Sequence, residues 1–465
     1  MRKSLIFTLL LLLLAVGSFG YIHGSVDASK DAVVIDETVL YGDKSMADGI
    51  VVDISIDCDN RLFWDTRYTV GEKSEINTTF TFSQTQRQPE QTGPTFHIGL
   101  DGMFHGWGAS GSNLDMRAET YPLPVRDVAA CTKPGENRTE TIYVKDYYNF
   151  YPISVGFEWP PGFAVNEDTN NLFADYFKFP INPEHQVEIN IEKNAAGSVC
   201  SIGLSSVQGT NVYSHAISTV TTSHCFFTFT CFTEEGQLLD TSHIPGGCGV
   251  YRFPRHTESG VHILTADELQ TVFPLDEQAR VVSLETSQDE SKLLLVTKED
   301  EDYMLTVIDA ATLVELQKLR IMRADTESSG PWVPMLRNFY IYEDYIVPVS
   351  SDNRLVVLAL NAEGDYEVQF EVSLGEIEGL ESAFSSELGT SYNGKELAVA
   401  AFHYDYSRPR SICSFYLAVY TDAGLAYAGR YQHSLDKSLM DDYSLICRPL
   451  DGAPPRVMWK GASIR

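Results

Sequence analysis

Gly108-Ala-Ser110-Gly-Ser112 sets a serine among small residues, the composition of a nucleophile elbow. An elbow needs G-x-S-x-G on a sharp strand-to-helix turn that exposes the hydroxyl. Here Ser112 holds the last position and no helical periodicity follows, so a flexible Gly/Ser loop is expected. His97, Asp101 and His105 bring imidazole and carboxylate close together in sequence. Those groups ligate metals and exchange protons. Their spacing fits no ligand motif, and Gly99, Gly102 and Gly106 predict a solvated loop. Asp57-Cys-Asp59 and Glu299-Asp-Glu-Asp302 offer the oxygens that calcium prefers, but neither follows the EF-hand pattern. The second is expected at a hairpin tip beside Lys298, simply solvated. Tyr147-Tyr-Asn-Phe-Tyr151 with Trp159, Phe339–Tyr345 and Phe402–Tyr406 are dense in aromatics. Exposed rings would stack on sugars or peptides; packed strands are the simpler expectation. Paired carboxylates cleave glycosidic bonds, but 64 Asp and Glu residues single out no pair. No phosphate-binding loop, dinucleotide fingerprint or H-E-x-x-H occurs, so no cofactor is expected. Neither a catalytic nor a metal-binding residue is assigned. Asn77-Thr-Thr79 and Asn137-Arg-Thr139 match the glycosylation sequon, which matters only in a eukaryotic secretory host.

The elements that would carry these residues are strands. Val52–Ile56 and Val187–Ile191 alternate apolar and polar with period two. Helical patterning is scarce; Thr265-Ala-Asp-Glu268 resembles a capping box for about two turns. Apolar strands end repeatedly in a short Gly- or Thr-containing turn before another strand begins. Examples are Lys193–Gly197, Thr233–Gly236, Asp309–Thr312, Asn361–Gly364 and Thr421–Gly424. A further strand precedes three of these hairpins, at Lys292–Thr297, Tyr345–Ser350 and Glu396–Ala401. Strand, loop, strand, tight turn, strand is the pattern of a β-propeller blade.

The stretch Val281–Leu319 carries Ser287-Gln-Asp289 before an apolar strand and Val307-Ile-Asp-Ala-Ala-Thr312 in the next hairpin. On those residues it resembles blades of WD-repeat-like or YVTN-like propellers. The resemblance covers residues 281–465, and 187–280 more weakly. The fold class expected is therefore all-β, propeller-like with about six to eight irregular blades. A β-sandwich assembly is the alternative, kept open by uneven intervals between the hairpins.

Before the body comes an apolar stretch. Arg2 and Lys3 precede an uncharged run that lasts until Asp27. Residues 4–24 are long enough to span a bilayer, and the leading cations predict that end inside. The segment reads as a signal peptide or an uncleaved anchor. The expected organisation is an anchor or signal at 1–26, an N-terminal β region at 27–180 and a propeller-like region at 181–465. An exported location permits disulfides among the eight cysteines. Cys225 and Cys231 should face one side of one strand, too far apart to pair.

The formal net charge of −30 argues against nucleic acid and against a polybasic grip on anionic lipid. As a whole the chain resembles membrane-anchored extracytoplasmic proteins of Gram-positive bacteria, which implies a location and no activity. The leading expectation is a non-enzymatic binding or scaffold protein that presents loops to a protein, peptide or glycan. The alternatives are an extracytoplasmic glycan hydrolase and a sensor coupled to a membrane partner.

Overall fold

The computed structural model describes residues 2–58, 62–71, 74–82, 96–101, 106–116, 121–157, 167–255, 264–276, 279–324, 336–375, 384, 387–403, 414–434, 447–449 and 454–460. These residues are mostly β-strand, with three α-helices: α1 (Arg2–Lys30), α2 (Leu123–Cys131) and α3 (Glu167–Tyr176). Contacts divide the chain into two compact units, residues 92–336 and residues 1–91 with 337–465.

In unit 92–336, two four-stranded sheets are meanders in chain order. One runs Val212–Val220, His224–Thr233, Gly249–Pro254, Gln270–Pro274; the next runs Arg280–Thr286, Lys292–Glu299, Asp302–Asp309, Glu315–Arg323. A third sheet orders Trp107–Ser110, Val199–Ser206, Gln186–Lys193 and Asn137–Tyr143. The turns explain the meanders. In Ser287-Gln-Asp289, the Asp289 carboxylate accepts from Ser287 Oγ at 2.6 Å and from the Ser291 backbone N–H at 3.1 Å. Asp309 likewise accepts from the backbone N–H of Ala311 and Thr312, at 3.1 and 2.6 Å. A carboxylate that satisfies the backbone two or three residues on closes a tight turn. These donors hold both carboxyls below the usual range.

Successive sheets stack by their faces. Leu293 and Leu295 pack with Val281, Leu284 and Ile308 against Phe226 and Val250 of the preceding meander. Strand His224–Thr233 sends Cys225, Phe227, Phe229 and Cys231 into one cluster and Phe226 into the other. That is the period of two in a strand buried on both faces. Each fully buried Phe contributes roughly 1.5–3 kcal/mol. Both thiols are free, as are those of Cys131 and Cys200.

Helices α2 and α3 escaped the period-two reading. Pro122 and Pro124 open α2, and Val125, Val128 and Ala129 line its buried face. Phe173 on α3 and Phe177 just past its end, one turn apart, fill the same core as Phe227. Thr265–Glu268 is a correction. The Glu268 carboxylate does accept from the Thr265 N–H at 2.8 Å. Yet strand Gln270–Pro274 begins two residues later, so the box closes a turn and caps no helix.

In the other unit, Leu336–Ile341, Tyr345–Ser350, Arg354–Leu360 and Tyr366–Ser373 form a meander, as do Gly389–Tyr392, Leu397–His403, Ser414–Thr421 and Gly424–His433. Leu397, Val399 and Ala401 face the first of these meanders. Ala398, Ala400 and Phe402 face the opposite way, toward Ile54, Ile56 and Trp64. Strands adjacent in sequence and in space, stacked sheet on sheet, are blade-like; a Greek-key sandwich interleaves non-consecutive strands.

The two ends of the chain are interlaced in this unit. Strand Ile35–Gly42 adds to the outer edge of Gly424–His433, with Ile35 opposite His433. Gly42 at φ 71° makes this approach possible, because a Cβ there would lie 1.9 Å from the Ala426 carbonyl oxygen. Conversely, Cys447–Pro449 and Arg456–Trp459 both pair with Ile50–Cys58, whose other edge carries Leu62–Thr69 and then Glu75–Phe82. Cys58 is disulfide-bonded, and the backbone position opposite it is Cys447.

Candidate functional site

Helix α1 carries the plainest functional signal. Its segment Ile6–Ala28 is long and apolar enough to cross a membrane, and the body buries none of it. A signal sequence has the same character. Residues 31–34 alone separate α1 from strand Ile35–Gly42.

The residues with potential chemistry do not converge. Ser110 ends strand Trp107–Ser110, paired to Val199–Ser206, so the expected loop is an edge strand. No helix follows it directly, and the elbow geometry is missing. His97 lies exposed on strand Phe96–Leu100 and Asp101 follows that strand; His105 falls outside the described residues. Among the described residues, no three His, Cys, Asp or Glu side chains gather where a metal could bind. Asp57 is buried within its strand, and Asp59 falls outside the described residues.

The acidic hairpin 299–302 is not simply solvated as expected. Strand Glu315–Arg323 supplies a cation to three of its acids. Lys318 Nζ donates to Glu299 at 2.8 Å, Arg320 Nε donates to Asp302 at 2.7 Å, and Arg323 pairs with Glu301. These exposed pairs add little stability, but they occupy oxygens that a calcium ion would need.

The aromatic runs are packing. Tyr147–Tyr151 follows a 3₁₀ turn, Val144–Asp146, and forms no strand, which corrects the expectation. Its ring Tyr151 is buried, and the hydroxyl lies 2.9 Å from His185 Nδ1 and accepts the Asn182 N–H. Burial pushes that phenol well up. Trp159 falls outside the described residues. In the other unit Tyr342 stacks on Tyr345 at 4.4 Å and donates to the Thr390 carbonyl at 2.8 Å. Tyr340 and Tyr345 hydroxyls accept backbone N–H groups from Leu388 and Tyr392. These phenols fasten one meander to the next. Phe402 is core, and residues 404–406 fall outside the described residues.

Two polar clusters, one buried and one partly so, have no counterpart in the sequence reading. Tyr427 donates to Glu37 Oε1 at 2.9 Å and lies 2.7 Å from the Tyr431 hydroxyl, while Lys44 pairs with the same Glu37. Thr66 Oγ1 lies 3.0 Å from His433 Nε2 and 3.1 Å from Thr78 Oγ1. Both clusters join strands hundreds of residues apart, so no local spacing announces them.

His433 makes the fold acid-sensitive. Burial pushes its imidazole from 6.5 down to about 4. The unfolded chain therefore takes up a proton at a pH where the folded chain does not. This contribution is complete above about 6.5 and lost as pH falls toward 4, on the order of 3 kcal/mol in all. Urea melts at stepped pH should show that loss, and His433→Gln should remove it.

Glu285 has the opposite sign. Desolvation alone pushes its carboxyl from 4.5 to about 7. The folded chain then holds a proton that the unfolded chain has released, so stability falls as pH rises through that window. Glu285→Gln should match the native chain at pH 4 and exceed it at pH 8 by roughly 2–3 kcal/mol in urea melts. A raised carboxyl is half of a glycosidase pair, whose second carboxylate lies within about 10 Å. No charged group contributes to the Glu285 shift, which argues against a close second carboxylate among the described residues.

No protein-family model matches this chain, and no curated protein matches it. Among solved structures, a Bacteroides fragilis protein provisionally named as a 6-phosphogluconolactonase is similar at 9% identity, covering 83% of this chain and 95% of that one, with a TM-score of 0.31. The Cps50 (Swd1) β-propeller domain of Myceliophteria thermophila is similar at 8% identity over 52% of this chain and 81% of that one, TM-score 0.24. BamB from Moraxella catarrhalis is similar at 11% identity over 53% and 78%, TM-score 0.21. Likeness at these scores carries no argument, and the all-β class rests on the sheets themselves.

Proposed function

We propose that this chain is an extracytoplasmic binding or scaffold protein, tethered by α1 to the outer face of a membrane. Its stacked meanders present loops to a protein, peptide or glycan partner. One observation carries this reading: an apolar helix, none of whose membrane-length segment the body buries, leads after residues 31–34 into a strand woven into the body. The ion-paired hairpin and the packed tyrosines add support, because their acids and rings are taken up in structural contacts.

A thermal-shift screen of the full-length chain in detergent tests the binding role. The plate holds oligosaccharides, cell-wall fragments, peptides, divalent cations and chelator. A ligand at a hundredfold its dissociation constant stabilises by about 2.7 kcal/mol, a readable shift. A shift with a sugar or peptide supports binding, and turnover of that sugar would instead favour hydrolysis. If turnover is seen, Glu285 is the first acid to test, and Glu285→Gln should then abolish it while leaving the fold intact.

A further inference from the structure

Strand Glu75–Phe82 is the outer strand of its sheet, and past Glu75 it carries no charge. Its side chains read Asn77-Thr-Thr-Phe80-Thr-Phe82, and Phe82 is 41% exposed. A bare apolar strand edge invites aggregation unless something covers it. Here α1 reaches it. The Phe82 ring lies 6.4 Å from Phe19 and 6.3 Å from His23, and Phe80 lies 5.4 Å from His23. Between those helix residues stands Tyr21, 79% exposed.

We infer that Phe80 and Phe82 dock the body onto the headgroup–acyl boundary of the bilayer that α1 spans, and this inference rests on the tethered reading above. The levels agree. A span beginning at Ser4 reaches across the hydrocarbon by about residue 24 at 1.5 Å per residue. Phe19 then lies roughly 7 Å inside that end, about the depth to which interfacial apolar side chains insert. Phe82, held beside Phe19 and His23, occupies the same layer. Tyr21 supplies the amphipathic ring that this layer selects. At headgroup depth water still reaches the free backbone edge of the strand, which the hydrocarbon core would not allow. The uncharged stretch meets lipid headgroups without the repulsion that the acidic remainder would bring. Five rings, from Phe19, Tyr21, His23, Phe80 and Phe82, thus form one belt, which fixes the body's orientation as well as its tether.

The test reconstitutes the full-length chain in phosphatidylcholine vesicles containing lipid brominated near the headgroup. Phe82→Trp is compared with Val368→Trp, at an exposed position on strand Tyr366–Ser373 of the same unit, each corrected for native tryptophan emission. Docking predicts that the indole introduced by Phe82→Trp is quenched at least about twofold more than the one introduced by Val368→Trp, because bromine near the headgroups quenches only an indole that reaches the bilayer boundary. Equal quenching, with the chain floating with the vesicles and its intact mass including residues 1–26, overturns the docking and leaves the tether standing. A mature mass lacking residues 1–26, with the chain left in solution, overturns the tether and the docking with it. A second copy or a partner helix covering the strand would also leave the Phe82→Trp indole unquenched, and so would count against the inference.

Discussion

A chain ended after Asp442 is expected to lose cooperative unfolding. Asp442 itself lies outside the described residues, but the deletion removes both strands that pair with one edge of Ile50–Cys58. Ile50, Val52, Ile54 and Ile56 are each at most 3% exposed, and Val457 belongs to the same cluster. Uncovering such side chains costs roughly 1.5–3 kcal/mol apiece. Two or three of them outweigh much of the 5–15 kcal/mol by which a domain is ordinarily stable. The deletion also takes Trp459, whose indole N–H donates to the Ser391 carbonyl at 3.0 Å and ties the last strand to a second sheet. Thermal and urea melts followed by circular dichroism should show a broad, early transition. A sharp transition at the native midpoint would mean that the two ends of the chain do not hold this unit together.

Gly389→Ala should be nearly as damaging, from one methyl group. A Cβ at Gly389 would sit 1.7 Å from the Pro455 carbonyl oxygen and 2.9 Å from its carbon. Backbone cannot yield as a side-chain tip does, so the segment carrying Arg456–Trp459 has to move away. Overpacking typically costs 1–3 kcal/mol, and a clash with main chain belongs at about 3 kcal/mol or above. Gly203→Ala provides the control, because its Cβ meets only Asn190 Cβ at an ordinary 3.7 Å. The two perturbations should also be non-additive. In the chain ended after Asp442, Pro455 is gone, and Gly389→Ala should leave the broad, early transition where it is. A full cost persisting there would locate the strain elsewhere.

What sequence reading reached follows from the range of the signals. Ser287-Gln-Asp289 and Asp309–Thr312 announce their turns because each Asp bonds backbone two or three residues away. The alternation in Val187–Ile191 and the shared face of Cys225 and Cys231 follow from the strand period alone. Helix α2 was missed although Pro122, Pro124 and the spacing of Val125, Val128 and Ala129 mark it; nine residues give the helical period little room beside so many strands. The strand at Trp107–Ser110 is hidden by Gly108 and by Gly106 and Gly111 on either side of it. Gly108 faces the Ile202 carbonyl at 3.3 Å from a would-be Cβ, so the close pairing accounts for a composition that reads as a loop. The bases that neutralise Glu299, Glu301 and Asp302 stand about twenty positions later, on the strand beyond the hairpin. Glu37 meets Tyr427, and Thr66 meets His433, only because the ends of the chain share sheets. Interlacing across nearly the whole chain is a tertiary fact, and no window of sequence contains it.

The tethered, outward-facing body is tested most directly with Cys131, an exposed free thiol. Intact cells producing the full-length chain are treated with a membrane-impermeant maleimide, and labelling is compared with that of Cys131→Ser. The account predicts that the native chain is labelled without lysis, that labelling falls in Cys131→Ser, and that the labelled chain sediments with membranes at a mass including residues 1–26. Labelling of Cys131 only after lysis would place the body on the inner side and contradict the account.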